Sequence, residues 1–355
     1  MSWPDRVARM WEGNHLFSVL LELTHRCDQA CHICYNPRPR DDGLLKLAHY
    51  EQLLRDLAGM GTLSLALSGG EPLLHPDFMA VGRAARELGF AVRIKTNGLC
   101  LDAVLAGQIR REVNPFGVDV SLHGACAATH DLQTRLPGSF DRVVGNIRAM
   151  VTGGLRVRLR LPFTRWNEGE LQEGLALADS LGVPVDIDPE LSPRDNGDAG
   201  PLALAASEEG LACLAAALRP REDVDLARVR AGASGNQQPR MPRRHCAAGC
   251  ATLAIDPYGE VFPCVQWRRS AGSLHQAPIQ QIWETSPVLA EVRRVLEKVM
   301  EETASRPPGS VLAYCPGLAD TMGEDPTQAP STPGPRARFL QMLAEPKPGP
   351  RSTGS

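Results

Sequence analysis

Three cysteines fall within eight residues of the run THRCDQACHICYNP: Cys27, Cys31 and Cys34, spaced C-x3-C-x2-C. A tetrahedral zinc site takes four ligands, commonly as two close pairs. Three thiolates in one short run suit another task. Each iron of a 4Fe–4S cube needs one ligand from outside the cube, and thiolates are the usual donors. Three cysteines cap three irons and leave the fourth open, and an open metal position is where chemistry takes place. A zinc knuckle borrowing a distant ligand, or three core thiols, is the plainer alternative. A second group comprises Cys246, Cys250 and Cys264 in HCAAGCATLAIDPYGEVFPCVQW (245–267) and Cys315 in YCPGLADTMGED. A hairpin turning at Asp256–Gly259 brings Cys264 back beside the first two. Four ligands close a site, as in a structural or electron-carrying centre; zinc on the same thiolates is the alternative. Cys100, Cys126 and Cys213 belong to neither group and read as buried small hydrophobes.

These residues need a scaffold, and the first half of the chain supplies a strand–helix rhythm. Apolar, β-compatible runs occur at 17–24, 63–67, 91–95, 118–122, 157–161 and 183–187. Helix-period segments lie between them, around 46–58, 76–88, 101–110, 140–151 and 168–181. Strands alternating with helices imply parallel βαβ units, as a doubly wound sheet or an incomplete barrel. In both, functional groups gather past the C-terminal ends of the strands, where the first cysteine run sits. The rhythm breaks at SPRDNGDAGP (192–201), and a helix around 206–218 follows. The expected division is a lead-in over 1–16, an α/β catalytic body over 17–218, a polar linker over 219–244, a smaller module over 245–323, and a Pro/Gly/Ser-rich tail over 324–355 expected to be disordered.

The chain has 355 residues, 43% hydrophobic and 22% charged, with a formal net charge of -3. That balance gives no electrostatic case for nucleic acid or an anionic membrane as partner. No apolar run approaches the roughly 20 residues of a membrane helix. The start, MSWPDRVARMWEGN, lacks the apolar core of a secretory signal, so a cytoplasmic location is expected. Ten cysteines in a long chain without an export signal point to metal rather than disulfides.

The cysteine run, with apolar Ile33 before its third cysteine and a strand before it, resembles the signature of the radical S-adenosylmethionine (radical SAM) enzymes. The resemblance implies a partial (β/α)6 barrel with a smaller C-terminal auxiliary iron–sulfur module. It also implies that the cofactor's amino and carboxylate groups chelate the open iron. One electron then breaks a carbon–sulfur bond, and the 5′-deoxyadenosyl radical takes a hydrogen atom from substrate. Ile33 and Tyr35 are then expected near the adenine. SGGEP (68–72) resembles the family's GGEP element, giving Gly69, Gly70, Glu71 and Pro72 as cofactor contacts, with backbone on the methionine amino group. Thr96 and Asn97 in KTNG (95–98) and Ser121 in SLHG (121–124) match places for ribose or carboxylate contacts, or are turn formers ending strands. Arg135 in HDLQTRLPGSFDRV is the candidate for the cofactor carboxylate. His25 and His123 read as structural.

From residue 245 the chain resembles the SPASM/twitch extension of such enzymes, through G-x4-C at Gly259–Cys264 and SLHQAPIQQIWETSPVLAEVRR (273–294). The full pattern has seven cysteines and two auxiliary clusters. Four cysteines are present here, implying one auxiliary 4Fe–4S cluster and two clusters in all. The combined resemblance implies a maturase acting on a ribosomally made precursor peptide, installing a crosslink or related modification. Fewer than twenty residues precede the first strand, so a separate leader-binding protein, or direct docking on the barrel, is expected. The electron donor would be a flavodoxin or ferredoxin. Three alternatives stay open: an enzyme acting on a tetrapyrrole or redox-cofactor precursor, a peptide epimerase using one of the leftover thiols, and a non-catalytic iron–sulfur or zinc protein.

Overall fold

The computed structural model describes residues 9–36, 40, 43–219, 244–303, 314–330 and 332–344. Six strands alternate with helices: β1 (Ser18–Thr24), α1 (Leu47–Gly59), β2 (Ser64–Gly69), α2 (Phe78–Glu87), β3 (Ala91–Thr96), α3 (Ala103–Glu112), β4 (Gly117–Ser121), α4 (Ala127–Thr134), α5 (Ser139–Thr152), β5 (Val157–Pro162), α6 (Leu171–Leu181) and β6 (Val185–Asp188). All six pair in parallel, in the order β6-β5-β4-β3-β2-β1. The strands alternate in polarity rather than running apolar throughout. In β3, Val92, Ile94 and Thr96 are buried while Arg93 and Lys95 are only half-buried. Val92 and Ile94 join a core with Leu57, Val81, Ile109 and Ile147 from the covering helices. A parallel sheet buried on both faces would carry apolar residues on both. Here the second face is charged, and it forms the inner wall of a partial barrel.

The later cysteine segment does not form a sheet of its own. Its first strand, β7 (Thr252–Ile255), pairs in parallel with β1, Ser18 opposite Thr252, and so becomes a seventh parallel strand. Strands β8 (Glu260–Phe262) and β9 (Gly272–Ser273) continue antiparallel. The boundary expected between two modules is thus spanned by one nine-stranded sheet. The turn at Asp256–Gly259 forms as expected. The Asp256 Oδ1 accepts from the backbone N–H of Tyr258 and of Glu260, both at 2.9 Å, and fixes the hairpin.

Helix α7 (Glu208–Leu218) starts at Ser207, whose hydroxyl accepts from the Gly210 N–H at 3.0 Å. Beyond the sheet lie α8 (Ile279–Thr285), α9 (Pro287–Thr303), α10 (Pro316–Thr321) and α11 (Pro335–Ala344). The last of these corrects, over 335–344, the expectation of a disordered tail. Phe339 and Leu343 of α11 are buried against Leu211 and Leu214 of α7. Arg336 pairs with Asp188 at the end of β6, at 2.5 Å. The Pro/Gly content is real, but ten residues with an apolar helical face suffice when a partner face is available. The lead-in over 1–8, the linker over 220–243 and the last eleven residues, 345–355, lie outside the described residues.

Candidate active site

Directly past β1 the chain makes the loop that carries Cys27, Cys31 and Cys34. All three line one cavity of about 1010 Å³, together with His25, Gly70, Arg135 and Arg194. Cys27 is exposed, Cys31 and Cys34 are half-buried, and none is in a disulfide. The loop is held from two sides. The N–H groups of Ala30 and His32 donate to the carbonyls of Thr134 and Gln133 at the end of α4. Arg194 donates to the carbonyls of Cys34, at 3.0 Å, and His32, at 3.3 Å. Burial pushes the Cys27 thiol up to about 11 and that of Cys31 to about 12; Cys34 and Cys27 both add to the latter. Free of metal, these thiols keep their protons, and a bound cation would displace them. Among the described residues no three His, Cys, Asp or Glu side chains converge on one point as a single ion requires. The fit with an iron–sulfur cube therefore rests on the donor set: three unpaired thiols, close enough to influence one another, around one cavity open to a further ligand.

The SGGEP turn meets this loop edge to edge. A Cβ on Gly69, whose φ is +134°, would lie 2.2 Å from the Thr24 carbonyl oxygen, and one on Gly70 would lie 2.3 Å from that of Arg26. Both glycines are thus demanded by the approach of two backbones. The N–H of Gly70 donates to Thr24 and that of Glu71 to Arg26, so neither points at the cavity. Glu71 is fully buried and turned inward. Its carboxylate accepts from the Thr96 hydroxyl at 2.9 Å, the Asn97 N–H at 2.8 Å and the Leu73 N–H at 3.1 Å. Burial raises it to about 7, against the pull of those bonds. Glu71 therefore buckles the β2 turn to the β3 turn, and Pro72 is buried behind it. The side-chain hydrogen bonds of Glu71 and Thr96 are thus internal to the chain.

Other candidates divide between two places. Asn97 donates to Asp28 Oδ1 at 2.6 Å, beside Cys27, and so reaches the cysteine loop. Arg135 sits in the left-handed region after α4 and lines the same cavity as the cysteines. Ser121 is half-buried at the end of β4. Ile33 and Tyr35 line a different hollow of about 200 Å³, with Pro162, Leu191, Asp195, Val265 and Gln266. His25 is buried and contacts Glu22 at 3.2 Å. His123 is buried with Nε2 3.9 Å from the Cys31 sulfur, and burial with His130 nearby pushes it down to about 3. It is a neutral neighbour of the cysteine loop.

A buried ionic group between the two cysteine regions has no motif and was not read from the sequence. Glu22 on β1 is fully buried and takes both Nη atoms of Arg268, at 2.7 and 3.1 Å. Arg268 also lies 3.1 Å from Asp195, the residue after the one that holds the Cys34 carbonyl. Burial alone would raise the Glu22 carboxyl, but His25 and Arg268 outweigh it and hold it below the usual carboxylate range. The signal was there in one respect: Glu22 is a carboxylate inside the apolar run FSVLLELT, and a buried charge demands a partner.

Cys246, Cys250, Cys264 and Cys315 come together from three segments. The Cys246 thiol is raised chiefly by burial and then by Cys264, Cys315 and Cys250, in that order. Burial lifts Cys264 to about 12 and Cys250 to about 11, the latter against Arg244 and Arg293. Trp267 closes the region, buried, with its ring against Gly317 and its Nε1 donating to Asp320 at 2.8 Å. Cys246 thus feels each of the other three thiols and Cys264 feels Cys315, and four thiols match the external valences of one cube. The leftover thiols correct the expectation of buried hydrophobes. Cys126 and Cys213 are exposed, and Cys100 is half-buried with its sulfur 3.5 Å from Asp28.

Comparison with known proteins agrees with this arrangement. The model of the Radical SAM superfamily matches residues 21–178, and that of the SPASM iron–sulfur cluster-binding domain matches 246–307. The chain is 30% identical over 321 residues to the pre-heme d1 synthase of Dinoroseobacter shibae, covering 82% of this chain and 78% of the relative. It is 28% identical to the mycofactocin maturase MftC of Mycobacterium ulcerans, covering 77% and 75%. The fold of native anSMEcpe, solved with bound AdoMet and Cp18Cys peptide, superposes with a TM-score of 0.67 at 16% identity, over 92% of this chain and 96% of that one. Among the described residues no helix is long and apolar enough to cross a membrane.

Proposed function

The chain belongs to the radical SAM superfamily and carries a SPASM iron–sulfur domain, its cofactors being 4Fe–4S clusters and S-adenosylmethionine, and on that premise we propose that it modifies a ribosomally made peptide held inside the barrel. The observation that carries the radical reading is the trio Cys27, Cys31 and Cys34 around a cavity of about 1010 Å³, with no fourth cysteine among its lining residues. Cys27, Cys31 and Cys34 would hold the cluster there, and with the sulfonium cofactor it would supply the chemistry of hydrogen-atom abstraction from substrate. The chain's own residues do the rest. Arg194 and α4 fix the cysteine loop, and Glu71 locks the β2 turn to the β3 turn. Arg135 and Asn97 stand at the cavity or its cysteine loop, as contacts for the cofactor's polar end. Cys246, Cys250, Cys264 and Cys315 would hold a second cube, which would supply an electron acceptor, and Trp267 packs beside Cys246 and Cys264. A separate leader-binding protein, and a flavodoxin or ferredoxin as donor, complete the set.

A peptide substrate is supported by the likeness to a mycofactocin maturase. The likeness to a pre-heme d1 synthase, at 30% identity, favours a second reading, a carboxylate-bearing tetrapyrrole. Anaerobic incubation with dithionite and S-adenosylmethionine should yield 5′-deoxyadenosine; its absence would end both readings. Co-expression with peptides encoded nearby should then give a peptide lighter by two hydrogens. A tetrapyrrole product with every peptide untouched would transfer the function to the second reading.

A further inference from the structure

The inner face of the sheet holds another hollow, of about 420 Å³, which begins at the strand ends away from the cysteine loop. It runs from Ser18 and Ser64 to Lys95 and abuts Cys264 and Val265. Four cations line it, Arg93, Lys95, Arg158 and Arg160, against one carboxylate, Asp119. That carboxylate is already engaged, by Arg93 at 2.8 Å and Arg160 at 3.8 Å, and Arg160 also pairs with Asp186. Glu22, on the same inner wall, is engaged by Arg268 and His25. Among the described residues, Lys95 and Arg158 have neither an ion pair nor a hydrogen bond to their side chains. Burial pushes the Lys95 ammonium below its ordinary range, so its charge is carried at a cost. Asp119 and Glu22 offset this only in part, and a cation in a hollow without a direct ion pair can take an anion from outside.

The register places these groups usefully. Lys95 lies opposite Asp119, and Asp119 opposite Arg158, so the three form one row across β3, β4 and β5. Asn97, which touches the cysteine loop, follows Lys95 by two residues, about 6.6 Å along the strand. A group anchored on the row would leave the rest of its molecule directed toward the radical-forming end.

We propose that Lys95 and Arg158 bind a carboxylate of the substrate, and so act as its anchor in the barrel. The inference rests on the reading of the barrel as a substrate chamber, and it names the chemistry shared by an acidic peptide and a tetrapyrrole carrying acid side chains. The peptide carboxylate is the source expected here.

The test is acylation of Lys95 in the anaerobically reconstituted full chain, followed by peptide mass spectrometry. Four probes are compared: a short Glu-containing peptide, the same peptide with Gln and an amidated terminus, uroporphyrin, and S-adenosylmethionine alone. The acidic peptide should slow Lys95 acylation while the amide does not. Lys95→Met and, at the more exposed position, Arg158→Met should each weaken binding of the acidic peptide about tenfold to a hundredfold, the range for a charge-assisted hydrogen bond. Lys95→Arg should retain most of it. Protection by uroporphyrin alone would keep the carboxylate site and overturn the peptide substrate. Equal protection by acid and amide, protection by S-adenosylmethionine alone, or none at all would overturn the site itself.

Discussion

The two cysteine regions solve opposite problems with the same side chain. Cys27, Cys31 and Cys34 come from one loop, half open, around a cavity of about 1010 Å³. Cys246, Cys250, Cys264 and Cys315 come from three segments, with Cys250 fully buried and Trp267 over the region. A single loop of eight residues presents three donors to one side and leaves space in front of them. Donors drawn from a hairpin, its lead-in and a distant helix start would surround what they hold. Coordination left incomplete invites a ligand; coordination completed by the chain excludes one. The difference lies in how many chain segments contribute, not in the chemistry of the thiol.

The most severe way to break the comparison is Cys27→Ala. It should abolish 5′-deoxyadenosine formation while leaving about four irons per chain, half of the roughly eight expected of two cubes. Cys250→Ala should also leave about four, but with cofactor cleavage retained. If both variants lost all cleavage and all iron, the two regions would not be separable. Iron uptake against pH sharpens the contrast. Thiols raised to about 11 and 12 hold their protons throughout the neutral range, so metal binding must release them. Affinity should therefore rise with pH, by up to about a thousandfold per pH unit for three protons and about ten thousandfold for four. Chelator competition on the Cys27→Ala and Cys250→Ala variants measures the two slopes separately; equal slopes would remove the distinction.

Arg268 joins the regions, and its loss is the next effect in size. Arg268→Met leaves Glu22 buried with only His25 beside it, at a cost of about 3–5 kcal/mol. Adding Glu22→Leu should recover most of that in a denaturant titration, since the stranded charge is then gone. Without recovery, packing rather than charge would be the cause. The smallest effect belongs to Thr96→Val, which removes the hydroxyl donor from buried Glu71. About 1–3 kcal/mol of stability should go. Anaerobic binding titrations should show weaker S-adenosylmethionine binding, because the β2 and β3 turns are no longer buckled together.

The sequence by itself determined what is contiguous. Six strands and the helices between them, α4 excepted, were legible because side-chain period is a local property, and the cysteine loop was legible because its three donors are neighbours in the chain. The hairpin that returns Cys264 was legible from its turn residues. Tertiary structure alone decided which groups meet across long separations. Glu22 and Arg268 are 246 residues apart, and no pattern near either names the other. No pattern near Glu71 shows that its carboxylate accepts from Thr96 and Asn97 at the end of the next strand. Strand β7 reads as the start of a second module, yet it pairs with β1 because that strand had an unpaired edge to offer. Helix α11 was hidden by its Pro/Gly-rich flanks and exists against α7, whose apolar face it covers. Local preference costs little to express and shows in the residues themselves. Burial and charge pairing depend on which surfaces the fold brings together.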